Sequence, residues 1–135
     1  MKNILSEKIE QSLVKNDRVY LSGKLKSDNS VEHFDFQKYE MGISDYKEFK
    51  ADAPHVHLNN YEYNYVLEGQ IKVLLVEEGK EYTFHKGDIF LIEPNMKYAT
   101  KCLGGTRILF TKVPGGNDKV LLELSDDLKR WQGGW

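Results

Sequence analysis

The chain has 135 residues, one cysteine and a formal net charge of -2. That length suits one domain with one core. The balanced charge excludes an electrostatic case for nucleic acid or an anionic membrane as partner. Cys102 alone excludes an internal disulfide, and no apolar run reaches the roughly 20 residues of a membrane helix. The first eight residues lack the apolar stretch of a secretory signal, so a cytoplasmic protein is expected.

Leu5, Ile9, Leu13 and Val14 recur near helical spacing. They predict an amphipathic helix over about residues 5–15, with Ser6 as N-cap and Glu7 and Glu10 at the positive end of its dipole. That helix would cover one end of a barrel or lie across a partner. From there the grammar is strand-like over 18–24, 31–36, 38–50, 54–58, 61–67, 71–76, 80–84, 88–93, 97–102, 106–113 and 119–124. Gly69-Gln70, Glu78-Gly79-Lys80, Lys86-Gly87-Asp88, Glu93-Pro94-Asn95, Gly104-Gly105 and Pro114-Gly115-Gly116-Asn117 mark turns. Many short strands at regular spacing point to a sandwich or closed barrel. Ser125-Asp126-Asp127 caps a short helix over 127–131. The tail Gly133-Gly134-Trp135 reads as frayed, although Trp131 and Trp135 are large enough to dock.

The chemistry-bearing pattern is His55-Val56-His57, then Glu62, then Gly69. Alternate strand side chains share a face, so His55 and His57 point the same way. A bend at Asn59-Asn60 lets Glu62 return toward them, with Asn64 and Val66 on the same face of its strand. Two histidines and a carboxylate are the facial-triad ligands of non-haem Fe(II), and they also suit Zn, Mn, Ni or Co. Chance would produce the combined pattern in a chain this long on the order of once in a thousand. His33 and His85 carry no such pattern and read as ordinary structural residues.

These residues resemble the first motif of the cupin family, His-x-His followed by Glu and then Gly. The second motif, a Gly-Asp start and a hydrophobic strand into a Pro turn, resembles Gly87-Asp88-Ile89-Phe90-Leu91-Ile92-Glu93-Pro94-Asn95. The 17 residues between Gly69 and Gly87 are also of the kind found in single-domain cupins. The resemblance implies an all-β fold, a single jelly-roll β-barrel over residues 1–135. Short helices would stand at both ends, with the conserved, RmlC-like barrel core at about 50–113. It implies a divalent metal (Fe, Mn, Zn or Ni) on His55, His57 and Glu62, in a pocket also lined by Asn64.

Where cupins place a further His ligand, this chain has Tyr98. Three readings stay open: Tyr98 lines the pocket and contacts substrate, it ligates the metal, or it marks a barrel that has lost tight metal binding. The small residue of the second-motif turn is Asn95, which tolerates the left-handed backbone.

Tyr61, Tyr63 and Tyr65 alternate along one strand, which fits sheet packing or a dimer contact. Cys102 reads as a small buried hydrophobe, and Arg107 and Lys112 as a solvated strand face. The expected activity is isomerase- or epimerase-like, on a small polar metabolite such as a sugar or nucleotide-sugar, with Tyr98 as catalytic proton donor or orienting group. The alternative is a non-catalytic ligand-binding or dimeric structural cupin. The expected partners are a small molecule and a second copy of the chain, with neither nucleic acid nor membrane.

Overall fold

Turn residues separate the strands, which among the described residues pair with one another antiparallel. The computed structural model describes residues 1–25, 29 and 31–135. Its strands are β1 (Arg18–Ser22), β2 (Glu40–Tyr46), β3 (Lys50–His57), β4 (Tyr61–Glu68), β5 (Gln70–Leu75), β6 (Lys80–His85), β7 (Ile89–Ile92), β8 (Lys97–Cys102), β9 (Thr106–Val113) and β10 (Lys119–Leu121). Helix α1 (Ser6–Lys15) precedes them and α2 (Asp126–Gln132) follows. Two five-stranded sheets result, ordered β1-β2-β9-β4-β7 and β10-β3-β8-β5-β6. This is the all-β jelly roll with short terminal helices.

The core lies between the sheets. Val66, Ile71, Val73, Ile92, Cys102 and Ile108 are buried there, and Phe84 stacks on Phe90 at 4.4 Å. Burial pushes the Cys102 thiol up to about 12, which leaves it an inert apolar filler. A second cluster, Leu13, Val19 and Val31 with Ile9, Leu21 and Ile43, seals α1 against the outer face of β1 and β2.

Several local expectations need correction. Leu5, not Ser6, occupies the N-cap of α1, and no side chain caps it. Segment 31–36 forms no strand; Phe34 makes one isolated bridge to Ser22. Segment 38–50 is broken by a bend at residues 47–49 into β2 and the start of β3, and β10 ends at Leu121. The second helix is capped by Ser125 as expected, accepting from Leu128 N at 3.3 Å, and runs one residue further at each end.

The C-terminal tail docks. Buried Lys101 donates to the carbonyls of Trp131 and Gly134, both at 2.8 Å, and its ammonium lies 4.3 Å from the Trp131 ring centroid. Trp131 Nε1 donates to Glu81 at 2.6 Å, and Lys72 lies over Trp135. Lys101→Met removes this anchor, and an unfolding midpoint lowered by several degrees is expected in a thermal melt. An unchanged midpoint would show the tail to be energetically idle.

Candidate active site

Strand β3 runs beside β8 with His55 directly opposite Tyr98. That register carries the tyrosine to the histidine pair across 43 residues of sequence. His55 Nδ1 lies 2.7 Å from the Ala53 carbonyl, which can only accept, so the proton sits on Nδ1. Nε2 is therefore a lone pair, and it accepts the Tyr98 hydroxyl at 2.8 Å. Burial lowers the His55 pKa to about 4. Burial, followed by the Glu62 charge, raises that of Tyr98 well above the ordinary phenol range. Both groups are neutral near pH 7, as the hydrogen bond between them requires.

His57 has the opposite character. Its Nδ1 lies 2.8 Å from Asp118 Oδ1 and its Nε2 lies 3.2 Å from Glu62 Oε2. Burial works against the charged ring, but the hydrogen bonds to Glu62 and Asp118 outweigh it and raise the pKa. The carboxylates respond in kind. Burial would raise Glu62, yet the His57 bond, with Asn64 Nδ2 at 3.2 Å, holds it low. Asp118 is likewise held low against burial by the amides of Asn59 (2.6 Å) and Asn60 (2.9 Å) and by His57. The result is a His57 ring clamped between two carboxylates that favour its charged form, 5.2 Å from the neutral His55 ring, centroid to centroid.

His55, His57, Glu62 and Tyr98 line a cavity of about 730 Å³ between the sheets, and Asn64 lines it too. His55, His57, Glu62, Asn64 and Tyr98 are thus brought together. Asn95 takes the left-handed backbone at φ 66° and donates its N–H to the His57 carbonyl at 2.7 Å, fixing the end of β3. Tyr61, Tyr63 and Tyr65 point away from the cavity and are exposed. Lys112 is not a solvated surface residue. It is buried in the cavity wall, paired with Glu40 at 2.7 Å, and lies in register with Glu62 on β4. Arg107 is held by Glu10 and Asp45.

Asp118 was missed as a site residue. It lies 61 positions from His57, on the turn into β10. No local pattern announces it, because only the pairing of β10 with β3 brings it there.

The donor types suit a divalent ion, but their placement does not. Both Nε2 atoms engage protein partners, and among the described residues no three His, Cys, Asp or Glu side chains form a group that could hold a metal ion.

The pH response of Asp118→Asn checks the clamp. A raised His57 pKa contributes stability that is complete below about 6.5 and lost as pH rises through the folded value. Asp118→Asn is therefore expected to lower the His57 midpoint and to cost more stability at pH 6 than at pH 9. Denaturant melts at the two pH values measure this, and an equal loss at both would refute the clamp.

The cupin domain family matches residues 45–113, about half of the chain and the stretch that contains both motifs. The chain belongs to the cupin family. No curated protein sequence matches it. Among solved structures, this cupin resembles an uncharacterized conserved protein with a double-stranded β-helix domain from Klebsiella pneumoniae, with TM-score 0.61 and 15% identity over 91% of this chain and 99% of that one. It also resembles KdgF from Halomonas sp., with TM-score 0.55 and 19% identity over 62% and 74%. A third is the Streptomyces protein Pac13, described as a nucleoside dehydratase, with TM-score 0.56 and 13% identity over 65% and 71%. At these identities the likeness is one of fold. Among the described residues, no helix is long and apolar enough to cross a membrane.

Proposed function

We propose that this cupin is a cytoplasmic enzyme performing general acid–base chemistry on a small polar metabolite, as an isomerase, epimerase or dehydratase of sugar-like compounds. The observation that carries this reading is the pairing of two hydrogen-bonded arms with opposite protonation in one cavity: neutral Tyr98–His55 and charged His57–Glu62. Groups whose pKa values are pushed in opposite directions divide acid and base roles between them.

Tyr98 directs its hydrogen at His55, so its oxygen lone pairs are available to a substrate hydroxyl. As that hydroxyl loses its proton to Tyr98, Tyr98 passes its own to His55 Nε2. Once the substrate displaces the Glu62 contact, His57 supplies it a proton from Nε2, and Asp118 retains the Nδ1 proton and keeps the ring oriented. The weak basicity of His55 makes it a relay that quickly returns what it takes.

The test is a thermal-shift screen of sugars, sugar acids and nucleosides, followed by proton NMR of the stabilising compounds in D2O. Stabilisation with enzyme-dependent deuterium incorporation or loss of water is expected. Stabilisation with neither would leave a ligand-binding cupin and sink the enzymatic reading.

One observation favours a second reading, a metal on His55, His57 and Glu62. Each imidazole anchors Nδ1 on an oxygen acceptor and turns Nε2 toward the cavity, as metal-ligating histidines do. It would require the Tyr98 and Glu62 contacts to open. Elemental analysis of purified and reconstituted protein separates the readings. The metal reading expects near-stoichiometric metal, and less than about a tenth of an equivalent ends it.

For the partner we propose a second copy. Tyr63 lies opposite Leu91, and Tyr65 opposite Ile89, on the outer face of β4 and the edge strand β7, and all four are exposed. Such an apolar sheet face suits self-association. Sedimentation should show a dimer that Tyr63→Glu converts to monomer, and a monomeric parent protein would refute it.

A further inference from the structure

Strand β1 turns a charge into the cavity. Val19 and Leu21 are committed to the cluster under α1. The two-residue period of a strand therefore faces Arg18 and Tyr20 inward. Arg18 is held there. Its Nε donates to Ser44 Oγ at 2.9 Å, a terminal nitrogen donates to Tyr46 Oη at 3.3 Å, and the guanidinium lies 5.0 Å over the Phe110 ring. In the facing sheet, β10 pairs Lys119 with His57, and Lys119 lines the same cavity. Both residues remain accessible to solvent.

Neither cation has an ion-pair partner among the described residues. The other charges of the wall are largely spoken for: Lys112 by Glu40 and His57 by Glu62. Asp52, which receives the Thr100 hydroxyl at 3.5 Å, is the remaining carboxylate, and it lines the same cavity as Arg18, Lys119 and Lys24. Burial and the Arg18 charge both act against the Lys119 ammonium, with Asp52 relieving only part of this. Two like charges sharing a concave, partly desolvated space are a standing cost that an incoming anion removes. A pre-oriented guanidinium with a mobile ammonium opposite suits a carboxylate or phosphate.

We propose that Arg18 and Lys119, on opposed edge strands, form an oxyanion subsite that binds the carboxylate or phosphate of an acidic, sugar-sized substrate. The proposal rests on the acid–base reading for the substrate's other end, at Tyr98 and His57. Anchoring the charged group at the β1/β10 edge leaves the uncharged, reacting part to reach the two proton-transfer arms.

The test uses the full chain with three probes: glucuronate, glucose 6-phosphate and glucose, in low salt with sodium chloride matched for ionic strength. Thermal melts and calorimetry should show binding of glucuronate or glucose 6-phosphate, and the tighter of the two identifies carboxylate or phosphate as the recognised group. Glucose should bind at least about tenfold more weakly, the scale of one lost charged hydrogen bond. Arg18→Gln and Lys119→Gln should each weaken the anion by a similar factor. Lys119 makes no side-chain hydrogen bond or ion pair among the described residues, so its variant is informative even if Arg18→Gln fails to fold. Binding of neither anion, or equal binding by Lys119→Gln, overturns the subsite. Tyr98→Phe should retain anion binding. Retention with no detectable proton exchange in the parent protein would support the subsite while overturning the acid–base reading.

Discussion

Tyr98→Phe lowers turnover by about 10²–10⁴-fold while leaving substrate affinity within a few-fold of the parent. The ring is buried in the core with Ile71, Val73 and Leu75, and Phe preserves that packing. What disappears is one hydroxyl, and with it both the proton acceptor facing the cavity and the donor to His55 Nε2. His55 keeps its bond to Ala53, so the ring stays in place with an unsatisfied acceptor. The stability cost is therefore about 1–3 kcal/mol, too small to unfold the barrel. Steady-state kinetics on the compound selected by the ligand screen gives the answer. A fall in kcat of less than about threefold would remove Tyr98 from the proton path.

The second large effect is structural. Gly69 links β4 to β5 at φ +80°, and a Cβ there would lie 2.6 Å from Thr106 Cα. Thr106 cannot withdraw. It is fully buried, and its hydroxyl is bonded to both the amide and the carbonyl of Gln70, at 3.1 and 3.0 Å. Gly69→Ala therefore adds a backbone clash to the ordinary left-handed penalty of about 1–2 kcal/mol, for a total of about 3 kcal/mol and a midpoint lower by about 10 °C. Gly79, at φ +61° with nothing near its missing Cβ, is the internal control. Gly79→Ala should lose only about 1 kcal/mol. Equal losses at the two positions would show that Thr106 yields.

Gly69 also illustrates what is legible in sequence. Its place in the motif marked a turn, and the turn is there because only glycine fits against Thr106. The strands β4 to β9 followed from similar local chemistry, with period-2 apolar residues between Gly, Pro and Asn. The histidine pair located the cavity because parity along β3 is a local property. The site readings that failed concern partners distant in sequence. Lys112 reads as surface until β2 and β4 flank it. Asp118 carries no signal without the pairing of β10 to β3. The state of His55 and His57 was equally hidden, because it depends on which oxygen each nitrogen meets.

That state is the centre of the account, and the two-bond proton–nitrogen spectrum of the imidazoles measures it. In 15N-labelled protein titrated from pH 4 to 9, His55 should stay neutral with its proton on Nδ1 down to about pH 4, and the His57 midpoint should lie above 6.5. The reverse order of midpoints, or a His55 proton on Nε2, would contradict the division of the cavity into a neutral Tyr98–His55 arm and a charged His57–Glu62 arm.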